Sequence, residues 1–129
     1  MDRKLYSEHV ACAKDHWWFQ ARRKIIESLL IDKLASKRSF SILDVGSGAG
    51  SMITVLEKFG TITILEPDKE MFSFLGEKIS DKIQMHNGTL DDVSFDRKFD
   101  MITFFDVLEH IDNDRRALTQ TAKLLSDNG

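Results

Sequence analysis

The stretch SILDVGSGAG, Ser41 to Gly50, decides how this chain is read. A short apolar run ends in an acid, Asp44, and glycines follow at positions 46, 48 and 50. A plain turn rarely needs three glycines in five residues. The flanks supply a context. Phe40 to Val45 reads as a buried strand, and Ala49 to Phe59 as a helix with Met52, Ile53, Val55, Leu56 and Phe59 on its apolar side. Gly60 then reads as the C-terminal cap of that helix. A glycine loop between strand and helix lets the backbone turn sharply and lets a ligand approach with no Cβ in the way. The carboxyl end of a strand is also where open α/β sheets bind ligands.

Further along, the chain keeps alternating. Thr61 to Leu65 (TITIL) is β-branched and strand-like, and Pro67 forbids its continuation. Lys69 to Ile79 reads as a helix with Met71, Phe74, Leu75 and Lys78 on one stripe. Lys82 to His86 is a third strand, Asn87-Gly88 a turn, and Phe99 to Phe105 a fourth strand. Asp112 is placed to N-cap a last helix, Asn113 to Ser126, with Asp127-Asn128-Gly129 as its exit turn. Ahead of the glycine loop, residues 5 to 36 read as helical, with a break near Lys14 to His16 and a polar connector from Ser36 to Ser39. There Trp18, Ile25, Leu29 and Leu34 lie near helical spacing, while Arg22, Arg23, Glu27 and Asp32 take other faces. The layout predicts an α/β fold, a parallel sheet with helices on both faces. Its domain would run from 39 to 129, behind an N-terminal helical segment at 1 to 38.

Composition narrows the function classes. The 129 residues suffice for one domain with a real core. With 18 basic and 21 acidic residues the net charge is −3, which gives no support for duplex nucleic acid as a partner. Cys12 is the sole cysteine, so an internal disulfide is excluded and a reducing, cytoplasmic setting fits. Cys12 itself reads as a small buried hydrophobe. The N-terminal residues lack the apolar core of a signal peptide, and no segment approaches the ~20 apolar residues of a membrane span. The four histidines, at 9, 16, 86 and 110, are scattered, and one cysteine cannot build a thiolate metal site. His86 reads as structural.

Two cofactor readings compete at the glycine loop. The dinucleotide fingerprint G-x-G-x-x-G, counted from Gly46, would place its third glycine at Ser51. The chain instead carries D-x-G-x-G-x-G. Glu66 ends the second strand 20 residues after Gly46, where a carboxylate can accept from both hydroxyls of a ribose. Both readings want that acid. The wider pattern separates them. ILDVGSGAG, ILEPD, NGTLDDVSF and FDMITFFDVLEHIDND resemble, in order and spacing, the successive motifs of class I S-adenosylmethionine-dependent methyltransferases. DVLEH is similar to the branch that methylates quinone precursors and other small molecules, and HWWFQARRKII resembles the N-terminal helix of some members.

That resemblance, over about residues 40 to 129, implies a Rossmann-like sheet and S-adenosyl-L-methionine as cofactor. It implies that Asp44, Gly46, Ser47 and Gly48 face the methionine portion, with Asp44 near its amino group. Gly50 would let the next helix pack closely. Glu66 would hold the ribose hydroxyls, Pro67 and Asp68 would lie beside the adenine, and Thr89 and Leu90 on its other side. Asp106 would lie near the methyl group. His110 would face the substrate pocket or support its wall. For an oxygen acceptor His110 is the first candidate base and Asp106 the second. One departure stands out: the position of Thr89 is often an aspartate in the family, and threonine brings no charge to the adenine.

Other features stay open at this point. Trp17, Trp18 and Phe19 cannot all face a core from one helix; one or two are expected against the sheet, the alternative being a lid formed with His16. Arg22 and Arg23 read as a solvated face, or as a contact for an anionic substrate. The family fold has seven strands, whereas this chain shows four, expected in the order 3-2-1-4. It is therefore expected to be an N-terminal portion, truncated after the fourth strand, with that strand a bare edge open to pairing with a second copy. The leading function is methyl transfer to a small-molecule acceptor. The alternatives are a non-catalytic binding or assembly module of the same fold and, less favoured, a nicotinamide-dependent oxidoreductase.

Overall fold

Successive residues of a strand point to opposite faces of its sheet, so a strand buried on both sides reads as a continuous apolar run. This happens in β1 (Phe40–Val45) and β2 (Gly60–Glu66). Ile42, Ile62 and Ile64 pack on one face; Leu43, Val45 and Leu65 pack on the other. The computed structural model describes Lys4, Glu8, residues 16–34 and residues 39–129. Expectations for residues 5–7, 9–15 and 35–38, Cys12 and the break near Lys14 included, lie outside the described residues.

The elements follow in order. α1 (Trp17–Lys33) precedes β1; α2 (Ile53–Leu56), β2, α3 (Lys69–Gly76) and β3 (Gln84–Asn87) come next. β4 (Met101–Thr103), a 3-10 turn (Leu108–His110) and α4 (Asp114–Leu124) complete the chain. The strands form one parallel sheet in the order β3-β2-β1-β4, the order that the family resemblance implies. Its register runs from Phe40↔Gly60 to Val45↔Leu65 on one side of β1, and from Ile42↔Met101 to Asp44↔Thr103 on the other. Ile53 and Leu56 of α2 and Leu75 of α3 cover one face. Phe99, Val93, Phe95 and Leu124 of α4 cover the other.

Several boundaries differ from the sequence reading. The helix expected over Ala49 to Phe59 shrinks to four residues, because most bonds around it run i→i+3, as from Ile53 N–H to Gly50 and from Phe59 N–H to Leu56. Gly60 is no helix cap. It opens β2, and a Cβ there would stand 1.8 Å from the main-chain oxygen of Phe40. The N-cap of α4 is Asn113, whose side chain accepts from Arg116 N–H at 3.0 Å, not Asp112. β4 holds three residues because the main chain of Phe99 bonds instead to Leu124 and Ser126, forming a parallel bridge to Leu125. That bridge covers the start of the edge expected to be bare.

α1 departs furthest. Of the residues at helical spacing, Trp18, Ile25 and Leu29 are 47%, 60% and 55% exposed and Leu34 is half-buried; Trp17 is exposed as well. The face turned to the domain carries Arg22, Glu27 and Leu30. Arg22 pairs with Asp106 at 2.6 Å, Glu27 pairs with Lys58 at 2.6 Å, and Leu30 meets the core. Two ion pairs hold the polar side inward. Neither tryptophan packs against the sheet.

Candidate functional site

β1 delivers the glycine loop to the top of the sheet. Gly46 N–H donates to Leu65 at 2.7 Å, which ties the loop to the end of β2. Gly46, Gly48 and Gly50 have φ values of 72°, 53° and 76°, a region open to glycine and unfavourable for residues with a Cβ. At Gly46 space forbids a side chain too: its Cβ would fall 2.7 Å from Val107 Cγ2.

Two carboxylates flank this loop. Asp44 is 2% exposed, and both of its oxygens are engaged. Oδ2 accepts from the Ser47 hydroxyl at 2.5 Å, and Oδ1 from the Thr103 hydroxyl at 2.7 Å. Burial pushes the Asp44 carboxyl above its ordinary value, and the two hydroxyls pull it part of the way back. Glu66 accepts from Gly48 N–H at 2.8 Å and from Asp68 N–H at 3.0 Å. Burial raises its carboxyl as well; the two N–H donors oppose this, and the charges of Asp68 and Asp44 add to it. Each acid has only hydroxyl or N–H partners and no cation beside it among the described residues. A cationic, hydroxyl-rich ligand would supply what is missing.

A cavity of about 340 Å³ opens beside the loop. Val45, Gly46, Leu65, Pro67, Thr89 and Leu90 line one side of it, and Val107, Ile111, Arg116, Ala117 and Gln120 the other. The walls are mainly apolar, which suits a flat ring. Thus Gly46, Pro67, Thr89 and Leu90 reach one space. Asp44, Ser47, Gly48, Gly50, Glu66 and Asp68 build the loop next to it without lining it. Asp68 uses its side chain to cap α3, accepting from Met71 N–H at 2.9 Å. The Thr89 hydroxyl donates to Asp92 at 2.7 Å, and that bond, with the Thr89 N–H, holds the Asp92 carboxyl below its ordinary value. Asp106 turns to Arg22. His110 is exposed on its 3-10 turn and lies outside the cavity wall.

Some residues of the site escaped sequence reasoning. Asp91 accepts from Arg116 and from Gln120, each at 2.7 Å, which joins the loop after β3 to α4 across the cavity mouth. Asn87 donates from Nδ2 to the main-chain oxygens of Glu66 and Pro67, at 2.9 and 3.2 Å, and so fixes the end of β2. No local pattern marks these pairs, because their partners lie 20 or more residues apart. Among the described residues no helix is long and apolar enough to cross a membrane.

Comparison with known proteins bears on the family and the fold. The chain is 26% identical to the mitochondrial ubiquinone biosynthesis O-methyltransferase of Candida albicans, over 76% of this chain and 33% of that protein. It is 28% identical to the uncharacterized methyltransferase YcgJ of Bacillus subtilis, over 78% of this chain and 42% of that one. The chain therefore spans less than half the length of these curated relatives. Among solved structures, CalS10, an amino pentose methyltransferase from Micromonospora echinaspora bound to S-adenosylmethionine, superposes with a TM-score of 0.73 at 17% identity, covering 93% of this chain and 51% of that one. At that identity the likeness speaks for the fold. The methyltransferase domain family matches residues 43–129, from one residue before the buried Asp44 through every element that follows, and the chain belongs to that family.

Proposed function

We propose that this chain is the cofactor-binding part of an S-adenosylmethionine-dependent methyltransferase acting on a small organic acceptor. The observation that carries the reading is the buried Asp44 under a loop of positive-φ glycines, with Glu66 at the end of the next strand. When bound, the cofactor supplies a methyl group already activated on a sulfonium. The chain supplies position. Asp44, kept in place by Ser47 and Thr103, is the counter-charge for the amino end of the methionine portion, which Gly46, Ser47 and Gly48 face. Gly50 allows close packing, since a side chain there would meet Ile53 and Leu75 at 2.8 Å. Glu66 retains lone pairs for two ribose hydroxyls. Pro67 and Asp68 flank one side of the adenine, Thr89 and Leu90 the other. Much of the catalytic effect is then proximity in a cleft that excludes water.

Asp106 stands at the methyl end, and His110 is the first candidate to take a proton from an oxygen acceptor, with Asp106 the second. A small-molecule acceptor is supported by the net charge of −3 and by the ubiquinone-pathway name of the Candida relative. Self-association through the outer edge of β4 also belongs to this reading, because Met101–Thr103 pair only with β1 among the described residues. Calorimetric titration with S-adenosylhomocysteine tests the site, with Glu66→Ala beside the native chain. Saturable binding, weakened at least tenfold by the substitution, is expected. Equal binding by both proteins would remove Glu66 from the site.

A further inference from the structure

Three features meet just after β4, one strained backbone conformation and two contacts. Asp106 has φ 57° and is the one non-glycine residue with positive φ among the described residues. Its carboxylate pairs with Arg22 of α1 at 2.6 Å, and the Arg22 side chain is only 18% exposed. The next residue, Val107, fills the space where a Gly46 Cβ would be, at 2.7 Å from Cγ2 and 3.0 Å from Cγ1. A residue with a Cβ persists in the left-handed region where its surroundings over-determine it. Here that surrounding is a largely buried guanidinium, held in turn over the Trp18 ring at 5.6 Å. The Asp106 carboxylate it meets is 63% exposed, so the pair is half in water, and the restraint comes from the Arg22 side, which has left water and needs a counter-charge. α1 has little else to anchor it: no residue of the helix is fully buried.

We propose that Arg22 is a positioning residue for the cofactor loop. It fixes Asp106 in the left-handed geometry, and this sets Val107 against Gly46. The N-terminal helix thereby reaches the glycine loop through three residues, although it contributes no residue to the lining of the cavity. This inference rests on the cofactor site proposed above.

A double-mutant cycle on the 129-residue chain tests it, reading the Kd of S-adenosylhomocysteine by calorimetry. Arg22→Ala should weaken binding roughly tenfold. Arg22→Lys, which keeps the charge and loses the planar group over Trp18, should fall between the native chain and Arg22→Ala. Asp106→Gly tolerates φ 57° without help, so adding Arg22→Ala to it should weaken binding no further. Raising salt should weaken binding by the native chain more steeply than by the Arg22→Ala variant, which keeps the Asp44 contact to the ligand and lacks the Arg22–Asp106 pair. Should Arg22→Ala fail to fold, the Lys variant and the salt series read the same coupling. Losses that multiply in the double variant, or a native-like Kd in folded Arg22→Ala, overturn the positioning role alone. A native chain that binds no S-adenosylhomocysteine overturns the cofactor site, and this role with it.

Discussion

Replacing Asp44 by asparagine separates the stability of the free chain from its affinity for a cationic ligand. Asparagine keeps the shape. Thr103 can still donate to Oδ1, the bond now seen at 2.7 Å. Ser47 can accept from the new amide and turn its own proton to the main-chain oxygen of Asp44, already 3.4 Å away. The network survives with one hydroxyl reversed, and a desolvated negative charge disappears. The free chain should therefore hold its stability or gain up to about 1 kcal/mol, a rise in Tm of roughly 0–4 °C. Affinity should move the other way. A hydrogen bond to a charged group contributes about 1.5–3 kcal/mol, so S-adenosylhomocysteine should bind roughly 10- to 150-fold more weakly.

The sign with pH follows from the same burial. The folded Asp44 holds its proton more tightly than the unfolded chain does, so folding stability falls as pH rises from the unfolded value through the raised folded one. The Asp44 share of that loss should be absent in Asp44→Asn, while the share from Glu66, whose carboxyl burial also raises, should remain. Ligand affinity has the opposite trend, weakening as pH falls through the raised values of Asp44 and Glu66, because the ligand needs both ionised. Thermal melts and calorimetric titrations of both proteins across a pH series read all of this. A variant that melts several degrees lower yet binds as tightly as the native chain would refute the reasoning.

Gly60→Ala should lower stability by roughly 3 kcal/mol or more, since the clash at 1.8 Å is with the main-chain oxygen of Phe40 and no rotamer relieves it; an unchanged denaturant midpoint would show that the β1–β2 start can shift. Gly46→Ala combines a left-handed penalty of about 1–2 kcal/mol with a collision on Val107, so Val107→Ala should recover part of the stability and not all of it. Full recovery would mean that φ contributes nothing. For the β4 edge, sedimentation at micromolar concentration should find a dimer or larger species; a clean monomer counts against pairing there.

Some of this was legible in the sequence for definite physical reasons. The glycine loop could be read because positive φ and the Val107 contact admit almost no other residue at Gly46. β1 and β2 could be read because burial on both faces demands continuous apolar runs. Glu66 was found by spacing from the loop, which the parallel register between β1 and β2 enforces. Gly60 was misread because a glycine after an apolar helix looks the same whether it caps the helix or clears a neighbouring carbonyl. Asp112 and Asn113 are equally good caps by type, and only the bond to Arg116 tells them apart. The pairs Asp91–Arg116 and Asp91–Gln120 were illegible, because charged side chains on separate elements leave no periodic trace.

The orientation of α1 shows where pattern reasoning fails and why. Periodicity assumes that the apolar stripe of a helix buys its docking by leaving water. Here three of the four residues of that stripe, Trp18, Ile25 and Leu29, stay exposed and only Leu34 is half-buried, while the inward face is held by Arg22–Asp106, Glu27–Lys58 and Leu30. Solvated pairs contribute about 0–1 kcal/mol each, too little to orient a helix against a strong hydrophobic preference. The Arg22 pair differs in that the Arg22 side chain is largely out of water, although its Asp106 partner is 63% exposed, and Asp106 carries the one positive φ outside glycine among the described residues. The helix is therefore oriented by the residue that also bears on the glycine loop. If Arg22 has the positioning role proposed for it, α1 docking and the shape of the glycine loop are one equilibrium, and a change that frees α1 should be felt first at Gly46.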